Sequence, residues 1–333
     1  MRATATHTYT DKGALRVESV PCSFKRPMGL LVTHPDLCDA ETIAVIRDGH
    51  LGDLFMLSAV LRELHLNYPH LKITLFSDER WVEMQMFKGI PFFSHRRLQE
   101  YAPWDHHLSV DLRSFVERHP SHMEENRQVL FASAFGLKLL DGRPEYRVLP
   151  GEREYARGWL DDQGWDGKTP LIAFGPIASD QRRTMTGDQI VTFGGMLGRY
   201  GKVVSIHRGP ELRSILDPET TLFADDIEFR IQCAILEQCL LSVVVDSGVA
   251  HMSQAVQRQL HPFTIVLMSM IPARLRYSLY KNTVGLDPSG EKCFPCGDFG
   301  GTACNLSCMK EHTTERVEKI VKLLIERNGD AAR

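Results

Sequence analysis

The sequence predicts two α/β domains, each built on a doubly wound and mostly parallel sheet. Three observations lead to this prediction. The chain has 333 residues, which at about 150 residues per domain corresponds to two domains that each bury a core. Short apolar runs without polar alternation, typical of strands covered on both faces, alternate with helical patterns in two separate stretches. A polar stretch at residues 151–170, rich in Gly, Asp, Glu and Arg, lies between them and predicts the boundary.

The composition excludes several classes of protein. Lys and Arg total 39 against 42 Asp and Glu, a formal net charge of -3, so the chain lacks the positive field that drives binding to nucleic acid. No apolar run in the sequence approaches the about 20 residues that span a bilayer, so we expect no stable membrane insertion. The polar N-terminus does not form a secretory signal, and we therefore expect a cytoplasmic protein.

The first α/β unit is predicted from residue 43 onward. Residues 43–46, IAVI, form a buried strand, and the polar turn RDGHLGD follows at residues 47–53. Apolar residues then recur at steps of three and four and predict an amphipathic helix: Leu54, Leu57, Leu61, Leu64 and Tyr68. Pro69 ends this helix and residues 71–76 form the next strand, so the segment is one βαβ unit.

The same alternation returns after residue 170 and predicts the second, Rossmann-like sheet. The predicted strands are residues 171–174, 203–207, 241–246 and 263–268. The predicted helices are residues 189–200, 228–239, 249–257 and, closing the chain, 315–325. Residues 9–24 alternate weakly about a Lys12-Gly13 turn and predict a hairpin ahead of the first sheet.

These elements divide the chain into four parts. Residues 1–42 are an N-terminal extension, residues 43–160 and 161–310 are the two Rossmann-like domains, and residues 311–333 are a C-terminal helix. Ligands of open α/β sheets bind outside the carboxyl ends of the strands, where helix N-termini offer unpaired N–H groups. We therefore expect two lobes that face a central cleft, with the functional residues at these strand ends.

Asp53 is the candidate acid or base of the first domain. It lies in the first turn of a helix, after a turn that contains Gly49 and Gly52. Glycines let the backbone approach a ligand closely, which makes Gly52 a candidate for the backbone of the cleft. A carboxylate at this position can accept a proton from an attacking hydroxyl. It can equally be a simple N-cap, which satisfies orphan N–H groups and needs no substrate.

The predicted strand at residues 241–246 ends in a turn of small residues. Asp246, Ser247 and Gly248 form this turn, and His251 lies one turn into the helix that follows. The hydroxyl and the first amides of such a helix form a cradle for a diphosphate. A half-buried histidine after a strand is also common in α/β proteins without this function, so the segment alone is a weak signal.

The loop after residues 171–174 carries a second set of candidates, Ser179, Arg182 and Arg183. Paired arginines in such a loop can clamp phosphate oxygens in bidentate fashion, and a solvated surface pair is the alternative. A carboxylate in the first domain and anion-binding turns in the second predict a cleft with a diphosphate donor on one side and an acceptor plus base on the other. That arrangement is typical of a group-transfer enzyme.

Three segments together resemble a known family. Residues 43–64, IAVIRDGHLGDLFMLSAVLREL, resemble the N-terminal signature of the heptosyltransferase family, glycosyltransferase family 9. Residues 244–251, VVDSGVAH, are similar to the Asp-Thr-Gly-Leu-x-His segment of that family, with Ser247 in place of Thr. The string CFPCG from Cys293 resembles its late Cys-x-Pro-Cys turn. The segments occur in the family's order, and the match covers about residues 43–325.

This resemblance implies a GT-B fold and an inverting, metal-independent glycosyl transfer. The donor would be a nucleotide-diphosphate sugar, with an ADP-sugar such as ADP-heptose favoured. Residues 43–160 would bind the acceptor and residues 161–310 the nucleotide sugar. No cofactor would be required for catalysis, because cationic groups and helix dipoles take up charge on the leaving diphosphate. The acceptor would be a glycan, as in lipopolysaccharide synthesis, or a protein.

The resemblance also assigns roles by position. Asp53 would be the general base. The donor would be held by Ser179, Arg183, Asp246, Ser247, Gly248 and His251. The family has Lys, an aromatic residue and Pro in the phosphate loop, where this chain has Arg-Thr-Met-Thr from Arg183. The phosphate contact can therefore fall on Arg182 or on Arg183.

Half of the eight cysteines are clustered near the C-terminus, at Cys293, Cys296, Cys304 and Cys308. Four thiolates in a short glycine-rich knuckle, residues 293–308, can close a tetrahedral shell around zinc or iron, which leaves no open position for catalysis. The metal would then be structural. Reduced thiols, or a disulfide formed on purification, are the alternatives.

Two other functions stay open at this point. A nucleotide-sugar epimerase can use the same scaffold and needs no acceptor. A non-catalytic scaffold protein with a metal knuckle would retain the nucleotide fold without turnover. The loss of transfer on replacing Asp53 distinguishes an enzyme from the scaffold, and conversion of the donor by itself distinguishes the epimerase.

Overall fold

The computed structural model describes residues 5–9, 15–17, 35–207, 209–256, 263–290, 294–296 and 305–331. The chain divides into two compact units, Met1–Arg147 and Val148–Arg333. Within the described residues each unit is built on one sheet with helices, mostly parallel in the first unit and wholly parallel in the second, and the predicted α/β architecture is confirmed.

The first unit contains a sheet in the order β2-β1-β6-β3-β4-β5. Its described strands are β1 (Ala5–Tyr9), β2 (Leu15–Val17), β3 (Thr42–Ile46), β4 (Lys72–Ser77), β5 (Phe93–Arg97) and β6 (Leu108–Asp111). Its described helices are α1 (Pro35–Asp39), α2 (Leu51–Asn67), α3 (Glu79–Glu83), α4 (Phe115–Arg118) and α5 (Arg127–Ser133). The central strand β3 is almost wholly buried, as its unbroken apolar run predicts.

The predicted N-terminal hairpin is confirmed, although it begins earlier than residue 9. Strands β1 and β2 pair antiparallel, with His7 opposite Val17. Strand β1 also pairs parallel with β6, so the hairpin extends the first sheet at one edge. The Lys12-Gly13 turn itself lies outside the described residues.

Helix α2 corrects the prediction of an amphipathic helix. The apolar residues predicted to form one face of the helix are buried. Residues between them in the sequence, including Phe55, Met56 and Ser58, are buried as well. The additional burial comes from the side opposite the sheet, where α5 and the segment before residue 147 cover it. Gln128 of α5 donates a 3.3 Å hydrogen bond to the carbonyl of Met56, and the Glu145 amide donates one of 2.8 Å to Ser58 Oγ. A helix covered on two sides carries apolar residues around its circumference.

The second unit contains an all-parallel sheet in the order β12-β11-β10-β7-β8-β9. Its described strands are β7 (Leu171–Gly175), β8 (Lys202–Ser205), β9 (Thr221–Phe223), β10 (Leu241–Val245), β11 (Phe263–Leu267) and β12 (Thr283–Leu286). Its described helices are α6 (Pro150–Asp162), α7 (Gly187–Gly198), α8 (Phe229–Leu236), α9 (Gly248–Val256), α10 (Ser307–Lys310) and α11 (Thr314–Ala331). The short edge strands β9 and β12 are not predicted from the sequence.

The polar stretch predicted as the boundary is instead largely helical. Residues 151–162 lie in α6, and the units divide between Arg147 and Val148 rather than after residue 160. Helix α6 belongs to the second unit because it packs on α8 through two ion pairs. Arg153 contacts Glu237 at 2.6 Å, and Arg230 contacts Glu152 at 2.5 Å. Charged residues that the sequence pattern assigns to a linker therefore form the contact between two helices.

The C-terminal helix is confirmed as α11, and it is longer than predicted. Val317, Val321 and Leu324 are buried in the core of the second sheet, at the spacing of one helical face. None of the described helices is both long enough and apolar enough to cross a membrane.

Candidate functional site

The first unit contains a polar cavity at the carboxyl edge of its sheet, where β3, β4 and β6 end. The cavity has a volume of about 380 Å³. It is lined by Arg47, Asp48, Gly49, His50, Asp53, Asp78, Ser114, Glu117 and Arg127. Strand ends at this edge of an open α/β sheet are where ligands bind. The predicted base Asp53 is therefore placed where the fold favours a ligand.

Asp53 is held between two arginines. Its Oδ2 accepts a 2.8 Å hydrogen bond from Arg47 Nη2, and its Oδ1 accepts one of 2.8 Å from Arg127 Nη1. All three side chains are largely buried, with Asp53 only 7% exposed. Because each arginine binds a different oxygen, the carboxylate plane is fixed in the cavity wall. A carboxylate fixed in this way is oriented to meet a ligand in one defined direction.

Arg47 is anchored on three sides. Its Nη1 donates a 2.8 Å hydrogen bond to the Leu112 carbonyl, and its guanidinium lies 5.5 Å from the centre of the Phe131 ring. Burial on its own lowers the pKa of Arg47, but the carboxylates of Asp53 and Glu117 outweigh it, so the pKa of Arg47 lies above its usual value. Arg47 therefore stays charged and supports Asp53.

Of the two glycines that precede Asp53 in the sequence, Gly49 belongs to the cavity and Gly52 does not line it. Gly49 has φ +116°, a conformation that favours glycine. A Cβ added there would lie 3.6 Å from Asp53 Oδ2. The predicted Gly52 is instead the second residue of α2 and is not among the described residues that line the cavity. Asp53 is the third residue of α2, behind an N-cap at His50, so the interpretation of Asp53 as the N-cap is wrong.

The second unit carries a polar cluster at the carboxyl end of β10, where Asp246 is almost fully buried. The Tyr277 hydroxyl donates a 2.6 Å hydrogen bond to its Oδ1. Arg183 Nη1 donates one of 2.9 Å to its backbone carbonyl and lies 3.4 Å from its Oδ2. Arg183 Nη2 also contacts Ser179 Oγ at 3.2 Å. The structure therefore brings three of the predicted donor-binding residues together.

The charges around Asp246 determine its ionisation. Burial raises the pKa of Asp246, but Arg276, Arg183 and the Tyr277 hydrogen bond together lower it below its usual range. Burial and the adjacent carboxylate raise the pKa of Tyr277 well above its usual value. Asp246 is therefore the anion of the pair and Tyr277 the proton donor. Two arginines beside one buried carboxylate leave this strand end with excess positive charge.

His251 lies against the same cluster. Its ring stacks on Tyr277, with the ring centres 5.1 Å apart and the planes 26° from parallel. A 2.7 Å hydrogen bond joins His251 Nδ1 to the Tyr280 hydroxyl. The histidine is buried and held in place by two aromatic rings, as expected for a residue that orients its neighbours.

The start of α9 is the segment for which the sequence predicts an anion cradle. Gly248 is the first residue of this helix, and Ser247 precedes it. Among the described residues, the Ser247 hydroxyl is a buried oxygen without a hydrogen-bond partner. Native structures rarely leave such a group unsatisfied, so this hydroxyl is consistent with a ligand or a water at the helix N-terminus.

Arg182 does not join Arg183 at this cluster. It makes two bonds to Asp180, from Nη2 to Oδ2 at 2.7 Å and from Nε to Oδ1 at 3.1 Å. The hydrogen bond from Arg182 and its charge lower the pKa of Asp180. Of the two arginines that the sequence leaves open for the phosphate contact, the geometry favours Arg183.

Several contributors to these sites are missed by sequence reasoning: Arg47, Glu117, Arg127, Arg276, Tyr277 and Tyr280. Arg127 could have been identified from its position, because it is the first residue of α5. A cation in the first turn opposes the helix dipole and implies an acidic partner. The tyrosines follow β11 in an irregular segment, where no periodicity marks them.

The cysteine knuckle is described only in part. Cys293 and Cys304 lie outside the described residues. Cys308 is buried in α10, and Cys296 is half-buried, with its amide donating a 2.8 Å hydrogen bond to the Met270 carbonyl. Within the described part of the chain, no group of three or more metal-ligating side chains is found. Metal binding by the four cysteines stays a prediction.

Two α/β units, each with a mostly parallel sheet and polar side chains at its carboxyl edge, match the GT-B class of fold. The sequence matches no protein-family profile and no curated protein. Solved structures are similar. A glycosyl transferase family 9 structure from Veillonella parvula matches with a TM-score of 0.69 and 14% identity, covering 86% of this chain and 98% of that one.

Two further structures are similar over most of the chain. E. coli ADP-heptose LPS heptosyltransferase II has a TM-score of 0.65 and 13% identity, covering 86% of this chain and 99% of its own. The second is TibC of enterotoxigenic E. coli, a dodecameric iron-containing heptosyltransferase in complex with ADP-D-beta-D-heptose. It has a TM-score of 0.63 and 9% identity, and the match covers 88% of this chain and 79% of TibC. The chain therefore has the fold of the heptosyltransferases, and at these identities the similarity shows the fold alone.

Proposed function

We propose that the protein transfers a sugar from a nucleotide-diphosphate donor to an acceptor hydroxyl with inversion, and that Asp53 is the general base. One observation carries the proposal. A buried carboxylate, fixed by two arginines, lines a cavity at the carboxyl edge of the first sheet. The shared fold with a glycosyl transferase and an ADP-heptose LPS heptosyltransferase supports the choice of reaction.

The proposed reaction is a single displacement. The acceptor hydroxyl gives its proton to Asp53 as its oxygen forms a bond to the anomeric carbon of the sugar. The bond from that carbon to the diphosphate oxygen breaks, and the electron pair leaves with the nucleoside diphosphate. Attack opposite the leaving group inverts the configuration. A fixed base lowers the barrier because its orientation costs no reorganisation during the reaction.

The proposed donor site is the cluster at the carboxyl end of β10. Arg183 and Ser179 would contact the phosphate oxygens, and Ser247 and Gly248 would contribute a hydroxyl and helix amides. Asp246 would act with the buried His251 to orient these groups and the ribose. Positive charge and a helix N-terminus stabilise the negative charge that develops on the leaving diphosphate.

We propose an ADP-sugar of the heptose type as the donor. TibC, which shares the fold, binds ADP-D-beta-D-heptose. Thermal shift with ADP-, UDP- and GDP-sugars tests this choice, since a ligand at a hundred times its Kd stabilises the folded state by about 2.7 kcal/mol. We expect the largest shift with the ADP-sugar. An equal or larger shift with a UDP- or GDP-sugar contradicts the choice of nucleotide.

The base is tested by Asp53→Asn, which keeps the size of the side chain and removes its charge. Transfer is measured as ADP release from ADP-heptose with a lipopolysaccharide core glycan or a Ser-containing peptide as acceptor. We expect a loss of at least about a hundredfold in kcat with donor binding retained. The control is Asp105→Asn, an exposed aspartate that does not line the cavity.

Other outcomes of this experiment separate the rival functions. Conversion of the donor to an isomer without any acceptor indicates an epimerase. Full activity of Asp53→Asn overturns the role of Asp53, and a wild-type protein that binds the donor without turnover indicates a scaffold.

The four-cysteine knuckle is proposed as a structural metal site with no part in the chemical steps. TibC is described as iron-containing. Thiolates bind zinc or iron and lock the segment that carries them. Elemental analysis of protein purified without chelator tests this, and we expect about one equivalent of zinc or iron. Loss of that metal in Cys308→Ser supports the assignment, and a wild-type content below about half an equivalent contradicts it.

A further inference from the structure

We propose that Arg127 is a positioning residue for Asp53, and that Glu117 adjusts through Arg127 how readily Asp53 takes a proton. The inference rests on the proposed role of Asp53 as the base. It concerns two residues that neither the motifs nor the resemblance assigns. Both line the cavity of the first unit, and they come from two different helices, α5 and α4.

The geometry around Arg127 forms a chain of three charged side chains. Arg127 Nη1 donates to Asp53 Oδ1 at 2.8 Å, and its Nη2 donates to Glu117 Oε1. The side chain of Arg127 is 12% exposed, whereas that of Glu117 is 48% exposed. One guanidinium therefore joins a buried carboxylate to a carboxylate in contact with water.

The start of α5 places Arg127. Asn126 is the N-cap, and its side chain accepts a 2.8 Å hydrogen bond from the Gln128 amide. Arg127 follows as the first helical residue, where a positive charge opposes the helix dipole. The bonds to Asp53 and Glu117 offset this cost. Because the cap fixes the backbone, the guanidinium is directed at Asp53 rather than into solvent.

Arg127 is less buried than Arg47, with 12% of its side chain exposed against 5%. Arg47 binds the Leu112 carbonyl and packs on Phe131, and it is only 5% exposed. Its removal would disrupt the core of the unit. Arg127 lies at the cavity and pairs with a half-exposed carboxylate, so its charge can be altered with less effect on folding.

The charges explain why Glu117 matters. Arg47 and Arg127 balance Asp53 and Glu117, since Glu117 also lies 3.6 Å from Arg47 Nη2. When Asp53 takes a proton, Glu117 is left as the remaining anion between the two arginines. Opposite charges within about 4–6 Å favour the ionised form of a carboxyl group, and like charges disfavour it. Arg127 thus favours ionised Asp53, and Glu117 weakens that effect.

Other charged or titratable groups also face this cavity. They are Asp48, His50 and Asp78. Asp78 Oδ2 accepts a 3.2 Å hydrogen bond from the Gly49 amide and lies 3.4 Å from Arg80 Nη2. The Asp53 amide donates a 3.0 Å hydrogen bond to the His50 carbonyl. Asp48, His50 and Asp78 are left unchanged in the variants below.

Removing the charge of Arg127 and removing the charge of Glu117 are expected to shift the acidic limb of the pH profile in opposite directions. Arg127→Gln removes a positive charge beside Asp53, so the acidic limb of the kcat/KM profile moves to higher pH by roughly one unit. Glu117→Gln removes a negative charge from Arg127, so the acidic limb moves to lower pH by roughly half as much. A general loss of structure would not move the limb in opposite directions.

The experiment measures ADP release from ADP-heptose between pH 4.5 and 8, with the acceptor that supports transfer by the wild type. Arg127→Lys is the conservative variant and keeps the charge, so it restores the wild-type limb even if its kcat stays low. The controls are Arg97→Gln and Glu83→Gln, partners in an exposed pair of the same unit that does not line the cavity. They remove the same charges and are expected to leave the profile unchanged.

The outcomes separate this inference from the proposed function. If Asp53→Asn abolishes ADP release but Arg127→Gln and Glu117→Gln keep the wild-type limb, this inference is wrong and the proposed role of Asp53 as the base still stands. If Asp53→Asn has no effect, both are wrong. If Arg127→Gln does not fold, the inference is tested by the other two variants. A shift of the acidic limb to lower pH in Glu117→Gln and a wild-type limb in Arg127→Lys support the inference. A shift of the limb to higher pH in Glu117→Gln overturns it.

Discussion

The Tyr277 hydroxyl donates a 2.6 Å hydrogen bond to Oδ1 of Asp246, and both groups are almost fully buried. The tyrosine comes from the irregular segment after β11, and the aspartate ends β10. This bond attaches a loop to the strand end at which we place the donor. Because His251 stacks on the same ring, one tyrosine supports two of the proposed donor-binding residues.

Tyr277→Phe keeps the ring and removes the bond. A hydrogen bond to a buried charged group contributes about 1.5–3 kcal/mol, and an unsatisfied partner adds to the loss. We expect a lower free energy of unfolding in urea and weaker binding of ADP by calorimetry. Tyr155→Phe, at an exposed tyrosine of the same unit, serves as the control. Unchanged ADP affinity in Tyr277→Phe would show that the bond does not support the donor site.

Arg183 and Arg182 provide a second test, because they are adjacent in sequence but have different partners. Arg183 contacts Asp246 and Ser179, while Arg182 pairs with Asp180. Replacing a guanidinium that binds phosphate costs about 1.5–3 kcal/mol, which corresponds to roughly a tenfold or greater loss of affinity. We expect that loss for ADP in Arg183→Gln and less than about a threefold change in Arg182→Gln. The reverse ranking, measured by calorimetry, would place the phosphate contact at Arg182.

The order of strands and helices follows from the sequence because it depends on local patterns. Buried strands such as β3 and β10 are unbroken apolar runs, and helices between them carry apolar residues at helical spacing. The short edge strands β9 and β12 escape prediction because three or four residues are too few to establish a pattern. Helix α6 escapes prediction because its sequence is mostly polar, and two of its charged residues, Glu152 and Arg153, pair with Arg230 and Glu237 rather than remain solvated.

The candidate site follows from the sequence only where its residues lie in motifs. Asp53, Asp246 and His251 each lie close to a glycine in a segment that follows a strand, which marks them. Arg127 binds Asp53 across 74 residues and Tyr277 binds Asp246 across 31. Such contacts depend on the packing of separate elements, and no local pattern encodes them.

Gly49 and Gly52 provide a test of the cavity backbone. Gly49 has φ +116°, a conformation in which other residues are strained by roughly 1–2 kcal/mol. We expect Gly49→Ala to be destabilised by about that amount and to lose activity, since its Cβ would adjoin Asp53 and Arg47. Gly52 lies within α2, where alanine is the better helix former by about 1 kcal/mol. Gly52→Ala is therefore expected to be neutral or stabilising in urea, and the same loss in both variants would contradict this assignment.

His95 on β5 predicts a dependence of stability on pH. Burial lowers the pKa of His95 from 6.5 to about 4. In the unfolded chain the histidine takes a proton as the pH falls through about 6.5, and in the folded protein it does so only near pH 4. The stability that neutral His95 contributes is therefore fully present above pH 6.5 and is lost progressively between pH 6.5 and 4.

The loss amounts to roughly 2 kcal/mol at pH 4, since the ring is partly exposed and solvent screens its charge. Replacing the histidine tests this, because His95→Asn removes the titration and retains a polar partner for Ser77, whose Oγ lies 2.7 Å from His95 Nε2. We expect the urea midpoint of His95→Asn to fall less steeply than that of the wild type between pH 7 and 4.5. The exposed His70→Asn is the control. Parallel pH curves for the wild type and His95→Asn would mean that other groups cause the acid sensitivity of the first unit.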